Sequence, residues 1–193
     1  EGENDILLTS GFQRALSILL HVLVKPGQKV AIESPTYSGI INLLIAEKIP
    51  MVPIPVDEQG IDTDQLELAL QRGDIGAIVV IPTFHNPTGV CMSEERRQHL
   101  LQLAYKHGAP IIEDDWARSL RYEGVMVPPL KSLDESNSVI YVGTFSKNFL
   151  PGLRLGWIAC PSELAKTLIY AKIGADYGDS YFLQALMHEF IRH

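Results

Sequence analysis

The chain has 193 residues, 46% of them hydrophobic and 20% charged, with a formal net charge of -7. That is enough for one domain with a real core, and it excludes a disordered chain and the basic footprint of a nucleic-acid or anionic-membrane binder. Cys91 and Cys160 are too few and too far apart for a disulfide framework or a metal site, and no apolar run approaches a membrane span, which predicts a cytoplasmic protein without a metal.

The chain opens on the acidic run Glu1-Gly2-Glu3-Asn4-Asp5, the wrong charge for a secretory signal. Leu16, Leu19, Leu20 and Leu23 recur at helical spacing and predict a helix over residues 11–24, stopped by Lys25-Pro26-Gly27. Residues 29–33 read as a strand, 37–47 as a helix and 50–56 as a strand. Asp62-Thr63-Asp64 is a cap that leads into a helix over 66–71. The unbroken apolar run 77–81 is the signature of a strand buried on both faces. Ser93-Glu94-Glu95-Arg96 is a capped helix start, running to about His107, and 109–113 is the next buried strand. Two more strands are expected at 139–142 and 155–159, and a helical pattern sets in near Tyr181. Repeated strand–helix–strand order means an α/β domain: a mainly parallel central sheet with helices on both faces. Residues that carry chemistry then belong just beyond the carboxyl ends of the strands. Position 1 is not methionine and the helical pattern is still running at Ile191-Arg192-His193, so the expectation is one domain of a longer protein, cut at both ends.

Four polar clusters fall at such ends. Thr9-Ser10-Gly11-Phe12-Gln13 opens the first helix, where a glycine and unpartnered N–H groups favour an anion. Glu33-Ser34-Pro35-Thr36-Tyr37-Ser38-Gly39 offers an aromatic ring able to stack on a flat heterocycle. His85-Asn86-Pro87-Thr88-Gly89 is turn chemistry with an amide donor, His85 being a turn or pocket-edge residue and not a base. Glu113-Asp114-Asp115-Trp116 follows a buried strand, where an acid is harder to explain as a solvated face. Each alone has a plain structural reading: an N-cap, a core tyrosine, a turn, a polar strand end.

The stretch Gly143-Thr144-Phe145-Ser146-Lys147-Asn148-Phe149-Leu150-Pro151-Gly152-Leu153-Arg154-Leu155-Gly156 changes their weight. It sets a lysine among hydroxyl residues with an arginine seven positions on. A lysine amine forms a Schiff base with an aldehyde where its surroundings keep it partly unprotonated. Thr144 and Arg154 suit a phosphate, arginine because its planar fork makes two parallel bonds. Together these are the requirements of covalently held pyridoxal phosphate.

The order Gly-x-Gln, Pro-Thr-Tyr, Asn-Pro-Thr-Gly, Glu-Asp-Asp and Ser-Lys with Pro-Gly-Leu-Arg-Leu-Gly resembles the fold type I pyridoxal phosphate enzymes, the class I and II aminotransferases. The likeness runs from Leu7 to about Leu186. It implies that Lys147 is the Schiff-base lysine, that Asp114 pairs with the pyridine nitrogen, that Asn86 donates to the cofactor oxygen and that Tyr37 stacks on the ring. It also implies that Gly11, Phe12 and Gln13 join Thr144, Ser146 and Arg154 around the phosphate. Arg118 to Gly124, Val127 to Asp134 and Val139 to Lys147 are similar to the aminotransferase-like domains of MocR-type regulators in the GntR family. That branch implies a domain that senses an amino acid or amine, forms a homodimer and reaches DNA only through a domain not in this chain. An active aminotransferase acting on an amino acid and a 2-oxo acid is the alternative. The chain departs from the family at Ala117, where many members carry a tyrosine that bonds the cofactor oxygen. The arginine that grips a substrate carboxylate belongs to a small C-terminal domain outside this chain.

Overall fold

The computed structural model describes residues 6–193. Among the described residues, eight strands form one sheet: β1 (Ile6–Thr9), β2 (Lys29–Ser34), β3 (Met51–Asp57), β4 (Gly60–Ile61), β5 (Ile75–Val80), β6 (Ile111–Asp115), β7 (Val139–Thr144) and β8 (Gly156–Ala159). The helices between and after them are α1 (Phe12–Leu23), α2 (Ser38–Ala46), α3 (Thr63–Leu70), α4 (Glu94–His107), α5 (Leu130–Leu133), α6 (Ser162–Asp176) and α7 (Tyr181–Arg192). The sheet order is β1-β8-β7-β6-β5-β2-β3-β4. β3, β2, β5, β6 and β7 are parallel neighbours.

Alternation along the buried strands divides the core. Val30, Ile32, Ala77, Val79, Ile112, Ile140 and Val142 face the layer of α1, α2 and α6. Ala31, Ile78, Val80, Ile111 and Val139 face α3, α4 and α5. In α1, Leu16, Leu19 and Leu20 are 0%, 0% and 1% exposed. Burying each stabilises the fold by about 1.5–3 kcal/mol, so the predicted amphipathic stripe is what docks α1 on the sheet.

The expected caps form. Asp62 accepts from the amides of Asp64 and Gln65, and Ser93 Oγ accepts from Arg96 N–H. Gly108 ends α4 in the left-handed conformation at φ 61°.

The structure departs from the sequence expectation at its edges. β8 runs antiparallel to both β7 and β1, and β4 antiparallel to β3. The β7–β8 connection, residues 145–155, is too short for a helical crossover, so the chain returns antiparallel. Thr144 and Thr9 both lie opposite Gly156, which brings the carboxyl ends of β7 and β1 to one level. β6 starts two residues later than the apolar run indicated and includes Asp114 and Asp115. No helix among the described residues is long and apolar enough to cross a membrane.

Two further features frame the carboxyl end of the sheet. The guanidinium of Arg97, fully buried on α4, donates to the carbonyls of Met92, Pro128 and Pro82 and to Thr83 Oγ1. It thereby ties the loops that follow β5 and β6. Lys172, buried on α6, bridges Asp176 and Asp179 at 2.9 Å each, while Asp176 also pairs with Arg14 and Asp179 accepts from Ser10. This charged chain fastens the start of α1 to the α6–α7 junction.

Candidate functional site

The winding direction reverses between β2 and β5, neighbours in the sheet although the chain leaves β2 towards β3. Open α/β sheets leave a crevice outside the strand ends at such a point. Here it is a cavity of about 160 Å³ lined by Phe12 and Gln13 from α1, Tyr37, Ile81, Asn86, Asp114, Trp116, Thr144, Ser146, Lys147 and Arg154.

One end of the cavity is built for an anion. Among the described residues no side chain caps α1, so its first-turn amides keep their donor capacity. Gly11 precedes them at φ 82°, and a Cβ placed on it would lie 2.7 Å from Arg154 Nη2. Only glycine lets the guanidinium rest against this turn. Arg154 itself sits in the left-handed region at φ 51°. Thr144 Oγ1 donates to Ser146 Oγ at 3.0 Å and accepts from Ser146 N–H, which holds the two hydroxyls together. A Cβ on Gly156 would lie 2.7 Å from the Gly143 carbonyl oxygen and 3.2 Å from Gly11 Cα, so β7, β8 and the α1 turn meet backbone to backbone.

The other end is acidic. Asp114 is 3% exposed, and among the described residues its Oδ1 has no hydrogen-bond partner. Burial pushes its carboxyl well above the usual range, and the charges of Asp115, Glu33 and Glu113 push the same way. Its two neighbours point to the opposite face and do different work. Glu113 accepts from the amides of Leu130 and Lys131 at the start of α5, and Asp115 accepts from Tyr141 Oη at 3.0 Å.

Between these ends, the Tyr37 and Phe12 rings stand 6.5 Å apart at 57°. Gly39 leaves room for both Gln13 and the Tyr37 ring, which a Cβ there would strike. Trp116 Nε1 donates to the Phe84 carbonyl at 3.2 Å, and Lys147 Nζ lies 5.7 Å from the Trp116 ring centroid. The loop carrying Lys147 rests on α7: Leu153, Leu155 and Met187 are buried, Phe145, Phe149 and Leu183 pack against them partly buried, and the Phe149 and Phe190 rings are 4.0 Å apart.

The structure therefore brings Phe12, Gln13, Tyr37, Asn86, Asp114, Thr144, Ser146, Lys147 and Arg154 to one cavity, with Gly11 against Arg154. Trp116 and Ile81 line it as well, without having been singled out. An aromatic directly after the acidic triplet was the available signal for Trp116. Ile81 gave none beyond being the last apolar residue of a strand run.

A profile of the family described as aminotransferase class I and II matches residues 1–185. An aromatic-amino-acid aminotransferase of Thermococcus litoralis is 38% identical over 97% of this chain and 46% of its own length. A probable rhizopine catabolism regulatory protein, MocR, of Rhizobium meliloti is 36% identical over 97% of this chain and 37% of its own length. Among solved structures, an alpha-aminoadipate aminotransferase of Thermus thermophilus complexed with N-(5'-phosphopyridoxyl)-L-leucine superposes with a TM-score of 0.93 at 34% identity, over 98% of this chain and 50% of that one. The chain spans about half the length, or less, of these relatives.

Proposed function

Because the chain belongs to the class I and II aminotransferase family, we propose that its cavity holds pyridoxal phosphate with Lys147 as the point of covalent attachment. The domain then receives an amino acid or amine, as the effector-sensing part of a MocR-type transcriptional regulator. Likeness to the MocR relative supports that role, with DNA contact left to a different domain; homodimer formation is proposed from membership of the aminotransferase family.

The observation that carries the reading is the buried, unpartnered Oδ1 of Asp114 in the same cavity as Lys147 and Arg154. A buried acid without a partner is costly, and a protonated ring nitrogen is a partner of the right charge. At the far end, the glycine turn under Arg154 suits a phosphate. The residues present fit the group at both ends.

When bound, pyridoxal phosphate supplies an electron sink for the charge left as a proton leaves the ligand's α-carbon. The chain's own residues do the rest. Backbone amides at Gly11, Phe12 and Gln13, with Thr144, Ser146 and Arg154, bind the phosphate. Tyr37 would stack on the ring and Asn86 would donate to its phenolic oxygen. Burial and neighbouring acids raise the Asp114 pKa, and a cationic ring nitrogen beside it would offset both and favour the carboxylate. The Lys147 amine, beside Trp116, moves the proton at the ligand's α-carbon.

A second reading, an active aminotransferase, is favoured by the complete set of Lys147, Asp114 and Asn86 in one cavity and by the Thermococcus litoralis relative. The absorbance of the holoprotein during a panel of amino acid additions separates the two. A lasting spectral change without keto acid release supports the sensor, and release of one keto acid per amino acid consumed supports the enzyme. For either, Lys147→Ala is expected to abolish the borohydride-reducible link between chain and cofactor; a link that persists would remove the assignment.

A further inference from the structure

Glu33 and His85 are both buried, and beyond the charge Glu33 presents to Asp114 neither has a place in the function so far derived. Glu33 is 1% exposed and His85 3%. His85 Nε2 lies 3.3 Å from Glu33 Oε2, close enough for an ion pair when the ring is protonated but too poorly aligned for a hydrogen bond. Glu33 Oε2 also accepts from the backbone amide of Ile81 at 2.8 Å. On its other side, His85 Nδ1 lies 2.8 Å from Thr88 Oγ1. The backbone of the same turn is closed by His85 N–H to the Val90 carbonyl at 2.8 Å and by Gly89 N–H to the His85 carbonyl at 2.6 Å.

These contacts bracket Asn86. Ile81, where the loop leaves the sheet, and Asn86, the residue after His85, both line the cavity. Glu33, at the end of β2, holds the first by its amide and faces the ring next to the second. Arg97 fixes Pro82 and Thr83 between them and Trp116 holds the Phe84 carbonyl, so His85 is the last anchored side chain before Asn86. Two apolar residues would cover this end of the sheet without burying an acid and an imidazole, whose desolvation is expensive. What an ionisable pair adds over apolar packing is direction.

We propose that His85, held between Glu33 and Thr88, is a positioning residue that aims the Asn86 amide into the cavity. The inference rests on the reading that the cavity holds pyridoxal phosphate with Asn86 donating to its phenolic oxygen. A donor there stabilises the charge on that oxygen, so its alignment sets the pH at which the visible absorbance of the bound cofactor changes. A role confined to packing would lower stability and leave that midpoint in place.

The test is a spectral pH titration of the holoprotein, parent against His85→Ala, His85→Gln and Thr88→Val, each with a thermal denaturation alongside. His85→Ala is expected to raise the midpoint by about one pH unit, the size of losing a good part of one hydrogen bond to a charged group. His85→Gln, which restores a polar contact to Thr88, should recover at least half of the shift. Thr88 is exposed, so Thr88→Val should fold as the parent does and shift the midpoint upward by less. If His85→Ala does not fold, the other two variants decide. Midpoints that stay at the parent value while the parent shows its band overturn the positioning role. A parent that shows no visible band of bound cofactor at any pH sinks the underlying cofactor reading, and this inference with it.

Discussion

At the scale of single residues the site depends on places where a side chain is absent as much as on those where one is present. Gly11 combines φ 82° with a Cβ position 2.7 Å from the Arg154 guanidinium. Gly11→Ala therefore strains the turn and displaces the arginine together. It is expected to destabilise the fold by more than about 1 kcal/mol and to weaken cofactor binding roughly tenfold, since both penalties fall on the anion-binding end. Quenching of tryptophan fluorescence on titration with pyridoxal phosphate measures the affinity, Trp116 being in the cavity wall. Most of the candidate site was legible in the sequence because polar residues at the ends of apolar runs stand out. Lys147, Asp114, Asn86 and Arg154 are of this kind. Trp116 was not legible in the same way, because an aromatic next to an acid has no distinguishing type; only the fold places its ring beside Lys147. His85 was legible as a turn residue, and its pairing with Glu33 was not, because the two come from different strand ends.

Among the elements, α5 is held by a carboxylate from the sheet. Glu113 accepts from both first amides of that short helix, yet burial and the nearby Asp115 raise its pKa to about 7. In the unfolded chain it titrates near 4.5. Between those values the folded state holds a proton that the unfolded state has lost, so this group's contribution to stability is fully present below about pH 4.5 and falls as pH rises to about 7. The fall is expected to amount to roughly 3 kcal/mol. Chemical denaturation at intervals across that window checks it: Glu113→Gln, which cannot ionise, should remove this component of the slope at the cost of one of the two amide contacts. The long amphipathic elements, α1 and α4, could be read from period and caps. β1, β4 and α5 could not, because so few residues carry little periodicity; β8 is as short and was read only because Leu155 lengthens its apolar run. The sequence expectation left α6 unassigned, and its apolar residues explain the omission: few of them reach the core, so its apolar pattern is spread around the helix.

Across the whole molecule, the sheet has its inner strands covered on both faces, while α6 and α7 turn large apolar side chains outward. Tyr170 is 78% exposed on α6, and Tyr181, Phe182 and Ile191 are 83%, 74% and 64% exposed on α7. Large apolar side chains this exposed on two successive helices are a common mark of a surface that meets another protein. The 193-residue chain on its own is therefore expected to self-associate as concentration rises, with sedimentation velocity as the check. Tyr181→Glu with Phe182→Glu should reduce the association without disturbing the core. A concentration-independent monomer would contradict the expectation. The parallel centre of the sheet was legible from unbroken apolar runs, but the antiparallel return of β8 was not, since pairing direction depends on how far a connection can reach. The same α7 that shows its apolar side outward lays its inner side under the Lys147 loop through Met187 and Phe190, and the Lys172 bridges anchor its beginning to the start of α1. The helix thus touches the frame of the cavity at two places, the Lys147 loop and the turn that opens α1, so a partner seated on its outer surface would lie one helix away from both.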